Sequence, residues 1–136
     1  MTTNSFTFNG VDYGTTHGIT VRDHDYPLLP RPRLFKKNKA TSNGAVIQGD
    51  TYEPLYITLD CAKKYTTPSN YMTELRSIAT ALNATVGTDC VLILGWEPGK
   101  KYTTARLDSE FNPARQLTHA TFTLVFVCAN PIPEDV

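Results

Sequence analysis

Two carboxylates flank an imidazole at Asp23-His24-Asp25, and these are the residue types of general acid–base catalysis. Their spacing argues against that use. Neighbouring side chains of a strand point to opposite faces, so His24 and its flanking carboxylates would not converge on one reacting atom. The stretch reads instead as a solvated loop or an ion-pair site at an interface. Gly95-Trp96-Glu97-Pro98-Gly99-Lys100-Lys101 has the glycines and lysine of a phosphate loop, but three residues rather than four separate the glycines, and no Ser or Thr follows Lys100. A hairpin turn is the better reading. No Ser or Cys stands in a nucleophile context such as GxSxG. His17 and His119 are isolated, and the histidines have no HExxH spacing. Cys61, Cys90 and Cys128 lie far apart, without a CxxC pair, each in an apolar run, so they read as small buried hydrophobes. Asn83-Ala84-Thr85 matches a glycosylation sequon, but no secretory signal accompanies it, and it reads as chance. The expectation is a chain with no catalytic, cofactor-binding or metal-ligating residues, and hence no enzyme.

Charge gives a better lead. Arg31, Arg33, Lys36, Lys37 and Lys39 fall within nine positions. Three readings stay open: contact with an acidic protein surface, a like-charged edge that blocks strand pairing, or contact with nucleic acid. Phe35 is the single aromatic among them, which disfavours a single-strand binding groove. The chain as a whole carries 13 Lys and Arg against 13 Asp and Glu, so it lacks the basic excess of a free nucleic-acid binder. Near-zero net charge protects poorly against self-association, which suits an assembly. Trp96, Tyr52, Tyr56 and Tyr102 have the chemistry to stack on sugar rings, so a host-glycan-binding module is a rival reading.

The elements that must position these residues are mostly strands. Phe6 and Phe8 alternate with Ser5 and Thr7, and Asn9-Gly10 then signals a turn. Ile19 and Val21 alternate with Thr20 and Arg22. Tyr26 to Pro32 holds three prolines and reads as a connector or an edge. About 33–52 is polar, with Ser42-Asn43-Gly44 at its tip, and reads as a protruding hairpin or loop. Leu55, Ile57, Leu59 and Cys61 alternate with Tyr56, Thr58 and Asp60, the cleanest strand in the chain. One α-helix is expected at about 68–83. Thr67 is its N-cap and Pro68 its first position, and Tyr71, Leu75, Ile78, Ala79 and Leu82 form its apolar stripe. Cys90 to Leu94, Lys101 to Leu107 and His119 to Cys128 read as strands, with 111–116 a loop. His119 opens the last strand as a rim residue. The sum is a mainly β, α+β domain, β-sandwich-like, over residues 1–136.

That length fits one domain and buries about two-thirds of the unfolded chain's surface, so no disulfide or metal staple is needed. No apolar run approaches the ~18 residues of a membrane helix. Met1 to Gly10 lacks both the basic start and the apolar run of a signal peptide. A protein made in a cytoplasm, or assembled there, is expected.

Phe6-Thr7-Phe8-Asn9-Gly10, then Gly18-Ile19, the polar segment with Asn43-Gly44, and Tyr52-Glu53-Pro54 leading into a strand occur in that order. The helix with Leu75, Ile78 and Leu82 follows. Then come Tyr102 with Ala105-Arg106-Leu107, and Phe122 to Cys128 with Pro131 after it. Together these resemble the N-terminal, ring-forming domain of the siphophage distal tail protein (Dit) family, across nearly the whole chain. The resemblance implies a fold related to tail-tube proteins and a structural virion protein without enzymatic activity or cofactor. It implies a hexameric ring at the distal end of the tail, joining the tail tube protein to hub and tip proteins, with the tape measure protein a further partner. DNA passes through the lumen without specific binding. Longer members carry a C-terminal accessory domain, and this chain ends near where the ring domain would end, which sets direct sugar binding aside. The candidate interface residues are Arg33, Lys36, Lys37, Lys39, Asn43 and Gly44. Another tail ring protein, a tube or tail-completion subunit, is the rival within the same class.

Overall fold

The computed structural model describes residues 4–29, 31–38, 45–65, 68–116 and 118–136, and the side chains among these except for 33–38, 45–51 and 68. The expected N-cap Thr67 lies outside the described residues. Strand β1 (Phe6–Phe8) turns through Asn9-Gly10 into β2 (Val11–Asp12). Asn9 has φ 54° and Gly10 φ 78°, and Phe8 pairs with Val11. Two positive φ values in a two-residue loop define the mirror-image turn whose twist matches that of paired strands, and Asn-Gly is its preferred sequence.

Helix α1 (Tyr13–His17) follows at once, and it is a helix the hydrophobic pattern does not announce. Five residues are too few to display a period of 3.6. Its punctuation is nonetheless present. The Asp12 side chain accepts from the Gly14 and Thr15 N–H groups, and Gly18 at φ 67° ends the helix. Strands β3 (Ile19–Asp25), β4 (Pro32–Asn38), β5 (Ala45–Tyr52) and β6 (Leu55–Lys64) come next. Pro68–Asn70 forms one 3₁₀ turn, and α2 (Tyr71–Asn83) begins only after it. The expected helix therefore starts later than Pro68 and ends where its sequence stops it. The rest is β7 (Cys90–Leu94), β8 (Lys100–Leu107), β9 (Ala114–Arg115), β10 (His119–Cys128) and β11 (Glu134–Asp135). The short β9 pairs with β10 inside the stretch expected to be a plain loop.

The main sheet is antiparallel and runs β2-β1-β7-β8-β10-β6-β3, with β9 on β10 and β11 on β8. The longest ladder joins β10 to β6, from His119 opposite Lys64 to Cys128 opposite Leu55. The sheet is rolled. Phe6 and Phe8 on β1 lie 5.6 and 4.8 Å from Phe126 on β10, ring centre to ring centre, although β7 and β8 separate these strands. A flat sheet would hold them ~14 Å apart at ~4.8 Å per strand. The Val21 N–H of β3 also donates to the Asn4 carbonyl at 2.7 Å, so β3, at one end of the strand order, meets the segment leading into β1. This is the sandwich-like core expected from the alternation. α2 covers it with Leu75, Ile78 and Leu82, and α1 inserts Tyr13, stacked on Phe6 at 5.0 Å.

Among the described residues, one charged side chain, Lys63, is buried beside that core. The alternation that buries Leu55, Ile57, Leu59 and Cys61 also turns Lys63 inward, where it is 7% exposed. Its Nζ donates to the carbonyl of His17, in the last turn of α1. A cation there satisfies a carbonyl that the helix itself leaves open. The tip passes beside Gly18, where an added Cβ would sit 3.4 Å from Nζ. Lys63→Met keeps the stem and removes the ammonium. A hydrogen bond from a charged donor is worth about 1.5–3 kcal/mol, so that loss in unfolding free energy is expected in a urea titration. An unchanged midpoint would show that the Lys63 ammonium does not hold α1.

Candidate functional site

Asp23, His24 and Asp25 lie at the end of β3, after a register shift between Val21 and Asp23. The carboxylates do not converge on the imidazole. Asp23 Oδ1 accepts from the backbone N–H of His24 at 2.9 Å. The His24 ring instead stacks on Trp96, 4.4 Å away and tilted by 12°, and lies 5.5 Å from Tyr26. The Trp96 indole N–H donates to the Tyr26 hydroxyl at 2.9 Å. The cluster is an aromatic clasp between the end of β3 and the β7–β8 turn. Nothing in it is placed to move a proton.

The turn itself is the expected hairpin. The Glu97 N–H donates to the Leu94 carbonyl and the Lys100 N–H to the Glu97 carbonyl, and a strand, not a helix, follows. A phosphate loop needs a helix N-terminus there. His17 closes α1, and the His119 carbonyl accepts from the Tyr65 hydroxyl at 2.9 Å. Burial, with Lys63 nearby, holds the His17 imidazole below its usual pKa. The cysteines are buried and free. Burial pushes the Cys61 thiol up to about 12, with Asp60 adding to it, and burial alone does the same to Cys128. Thiols so placed are poor nucleophiles and poor metal ligands. Among the described residues, no three His, Cys, Asp or Glu side chains are grouped to hold a metal ion. None of the helices described is long and apolar enough to cross a membrane.

The sugar-stacking aromatics do not form one platform. Tyr102 is in the core, Trp96 is half-buried in the clasp, and Tyr52 and Tyr56 are exposed. The basic segment is ordered by backbone pairing. β4 and β5 form a two-stranded sheet that joins no other strand among the described residues, with a register shift between Phe35 and Lys36. Arg33, Lys36 and Lys37 belong to β4, opposite Thr51, Ile47 and Val46. Lys39, Asn43 and Gly44 lie outside the described residues. The Arg31 carbonyl accepts from the Glu53 N–H at 3.0 Å and ties the base of this hairpin.

Two surface features were not evident from the sequence. Leu28 and Leu29, in the proline-rich connector, are 82% and 63% exposed. An apolar groove of about 280 Å³ runs between α2 and the segment after β8, lined by Tyr71, Met72, Leu75, Ala79, Phe111 and Pro113, with Arg76 at its rim. Arg115 lies over the Tyr71 ring at 4.6 Å, and Phe111 packs edge-on against Phe122 at 4.9 Å. A doublet of leucines between prolines was the available signal for the first. The second needs residues from two distant segments, which no local pattern announces.

No protein-family model matches the chain, and no curated protein matches it significantly. A solved structure does. It is the Dit protein (gp 19.1) of phage SPP1, described as a paradigm of the hub adsorption apparatus in phages that infect Gram-positive hosts. The fold superposes with a TM-score of 0.69 at 17% sequence identity, over 93% of this chain and 50% of that one. The chain thus has a Dit-like fold and spans half the length of the protein it matches.

The clasp and the thiols give two checks. Stacked ring pairs are worth about 0.5–1.5 kcal/mol beyond area burial, so a double-mutant cycle of His24→Ala and Trp96→Ala should return a coupling of that size. Zero coupling would mean the stack is not formed in solution. Iodoacetamide should label no cysteine of the native chain and all three after unfolding, read by mass.

Proposed function

We propose that this chain is a structural subunit of a bacteriophage tail, forming a hexameric ring at the tail's distal end. The ring joins the tail tube protein to hub and tip proteins and surrounds a lumen through which DNA passes without specific binding. The observation that carries this reading is the likeness to SPP1 Dit over nearly the whole chain. The candidate residues agree with it: the Asp12 carboxylate caps α1, the His24 ring stacks on Trp96, and the cysteines are buried. In this reading the protein is not an enzyme and needs no cofactor.

A closed ring requires one patch of each subunit to meet a different patch of the next. The β4–β5 hairpin is the part best suited to reach a neighbour, because among the described residues it pairs with no strand of the main sheet. Arg33, Lys36, Lys37, Lys39, Asn43 and Gly44 are the contact residues assigned to it. Their charge steers the arm toward an acidic surface of the next subunit or of the adjoining ring.

Light scattering with negative-stain imaging tests both statements. The native chain should give closed rings of hexameric mass. Deletion of residues 39–48 should leave a monomer with native circular dichroism and thermal unfolding. Rings that form normally without this segment would remove the arm from the interface. Long stacked tubes would mark a tube subunit instead of a terminal ring.

A further inference from the structure

Lys63 is a buried cation without a counter-charge among the described residues. It is 7% exposed, and its one hydrogen bond goes to the uncharged carbonyl of His17. An ammonium has three N–H donors, so two are unspent. A buried charge is costly unless an opposite charge or further hydrogen bonds offset it. Gly18, beside that ammonium, also lines an open cavity of about 500 Å³, with Thr20, Arg22, Ala62, Lys64 and His119. We propose that this cavity is a binding site for a phosphate group, free or carried as an ester.

The strand registers build the cavity. Alternation on β6 turns Lys64 outward, on the same face as Ala62. His119 of β10 stands opposite Lys64, so the imidazole and the ammonium are neighbours. The His119 Nδ1 lies 3.3 Å from the Thr118 hydroxyl, and Nε2 has no partner among the described residues. Thr20 of β3 stands opposite Ala62, and these two small side chains leave the floor low. Arg22 borders the floor beyond Thr20. Lys63 lies at the Gly18 wall, where an added Cβ would sit 3.4 Å from Nζ. Two cations and an imidazole therefore border a floor of small residues, and a third cation stands beside its wall.

The acids of these strands are spent elsewhere. Arg22 Nη2 donates to both Asp60 oxygens at 3.3 Å, which leaves the other N–H groups of the guanidinium. Asp23 accepts from the backbone N–H of His24. Asp25 stands opposite Thr58, six residues along β6 from Lys64 and ~20 Å away. β10 carries no acid. Among the described residues, no acidic side chain lines the cavity. A phosphate ester brings three acceptor oxygens and about −1.5 to −2 of charge, against two oxygens and a single charge for a carboxylate, so donors spread over three strands favour it.

The ligand would be held by the single chain, so this site and the ring stand or fall separately. Heteronuclear NMR of the full chain tests it, with sodium phosphate exchanged for chloride at constant ionic strength and neutral pH. The amides of Gly18, Thr20, Ala62, Lys64 and His119 should shift along one saturable curve. Lys64→Gln with His119→Gln, both outside the core, should keep thermal unfolding and weaken binding roughly ten-fold or more, the effect of losing a hydrogen bond from a charged donor. Lys63→Met should weaken it as well, read at a temperature where circular dichroism shows that variant folded. Methyl phosphate that saturates the same amides as tightly marks an ester as the ligand, and binding of inorganic phosphate alone marks the free ion. Sodium acetate that binds as tightly as phosphate overturns the choice of phosphate over a carboxylate. Unchanged affinity in both variants, or a linear drift shared by lysines elsewhere on the surface, overturns the site.

Discussion

Phe126 sits against Phe6 and Phe8, and those side chains come from strands with two others between them. The contact exists only if the sheet rolls, and rolling puts its two faces in different environments. The inner face becomes a continuous apolar core from Phe6 to Cys128, with the helices covering what the strands leave open. The outer face stays partly wet, so its threonines and charged residues are tolerated. Burial of aromatic and aliphatic area on one face is the main favourable term, and the antiparallel ladders satisfy the backbone groups carried inside with it. Turns and caps then adjust details of a structure whose curvature is already required.

Much of this was legible in the sequence because alternation on β6 and β10 is uninterrupted, and these strands form the longest ladder. The Asn9-Gly10 turn was legible because few other dipeptides accept two positive φ values. α2 was legible by its stripe of Leu75, Ile78 and Leu82. What was not legible depends on tertiary structure. α1 is shorter than two turns, so its helical period never becomes visible, and Tyr13 enters the core unannounced. Lys63 occupies a core-facing position that alternation alone would assign to a hydrophobe, and only the nearby end of α1 makes it acceptable. Trp96 and His24 are 72 positions apart in the chain, and their stacking follows from the register of β3 and from the β7–β8 turn.

The same division separates the parts used for stability from those available for contact. The Asp12 carboxylate caps α1, the His24 ring stacks on Trp96, and the cysteines lie in the core. At the surface of the described residues lie a leucine pair, a groove on α2 and charged residues of both signs.

The meeting of β3 with the segment before β1 differs from every other junction in the sheet. Register pairing holds the other neighbours of the sheet, whereas here, among the described residues, the join is the backbone hydrogen bond from Val21 to Asn4. The rolled sheet therefore has a seam. Opening it would leave the ladders whole, so hydrogen exchange should be faster along this line than along the β6–β10 ladder. A fold closed by so slight a join can admit solvent along one line while its core stays shut.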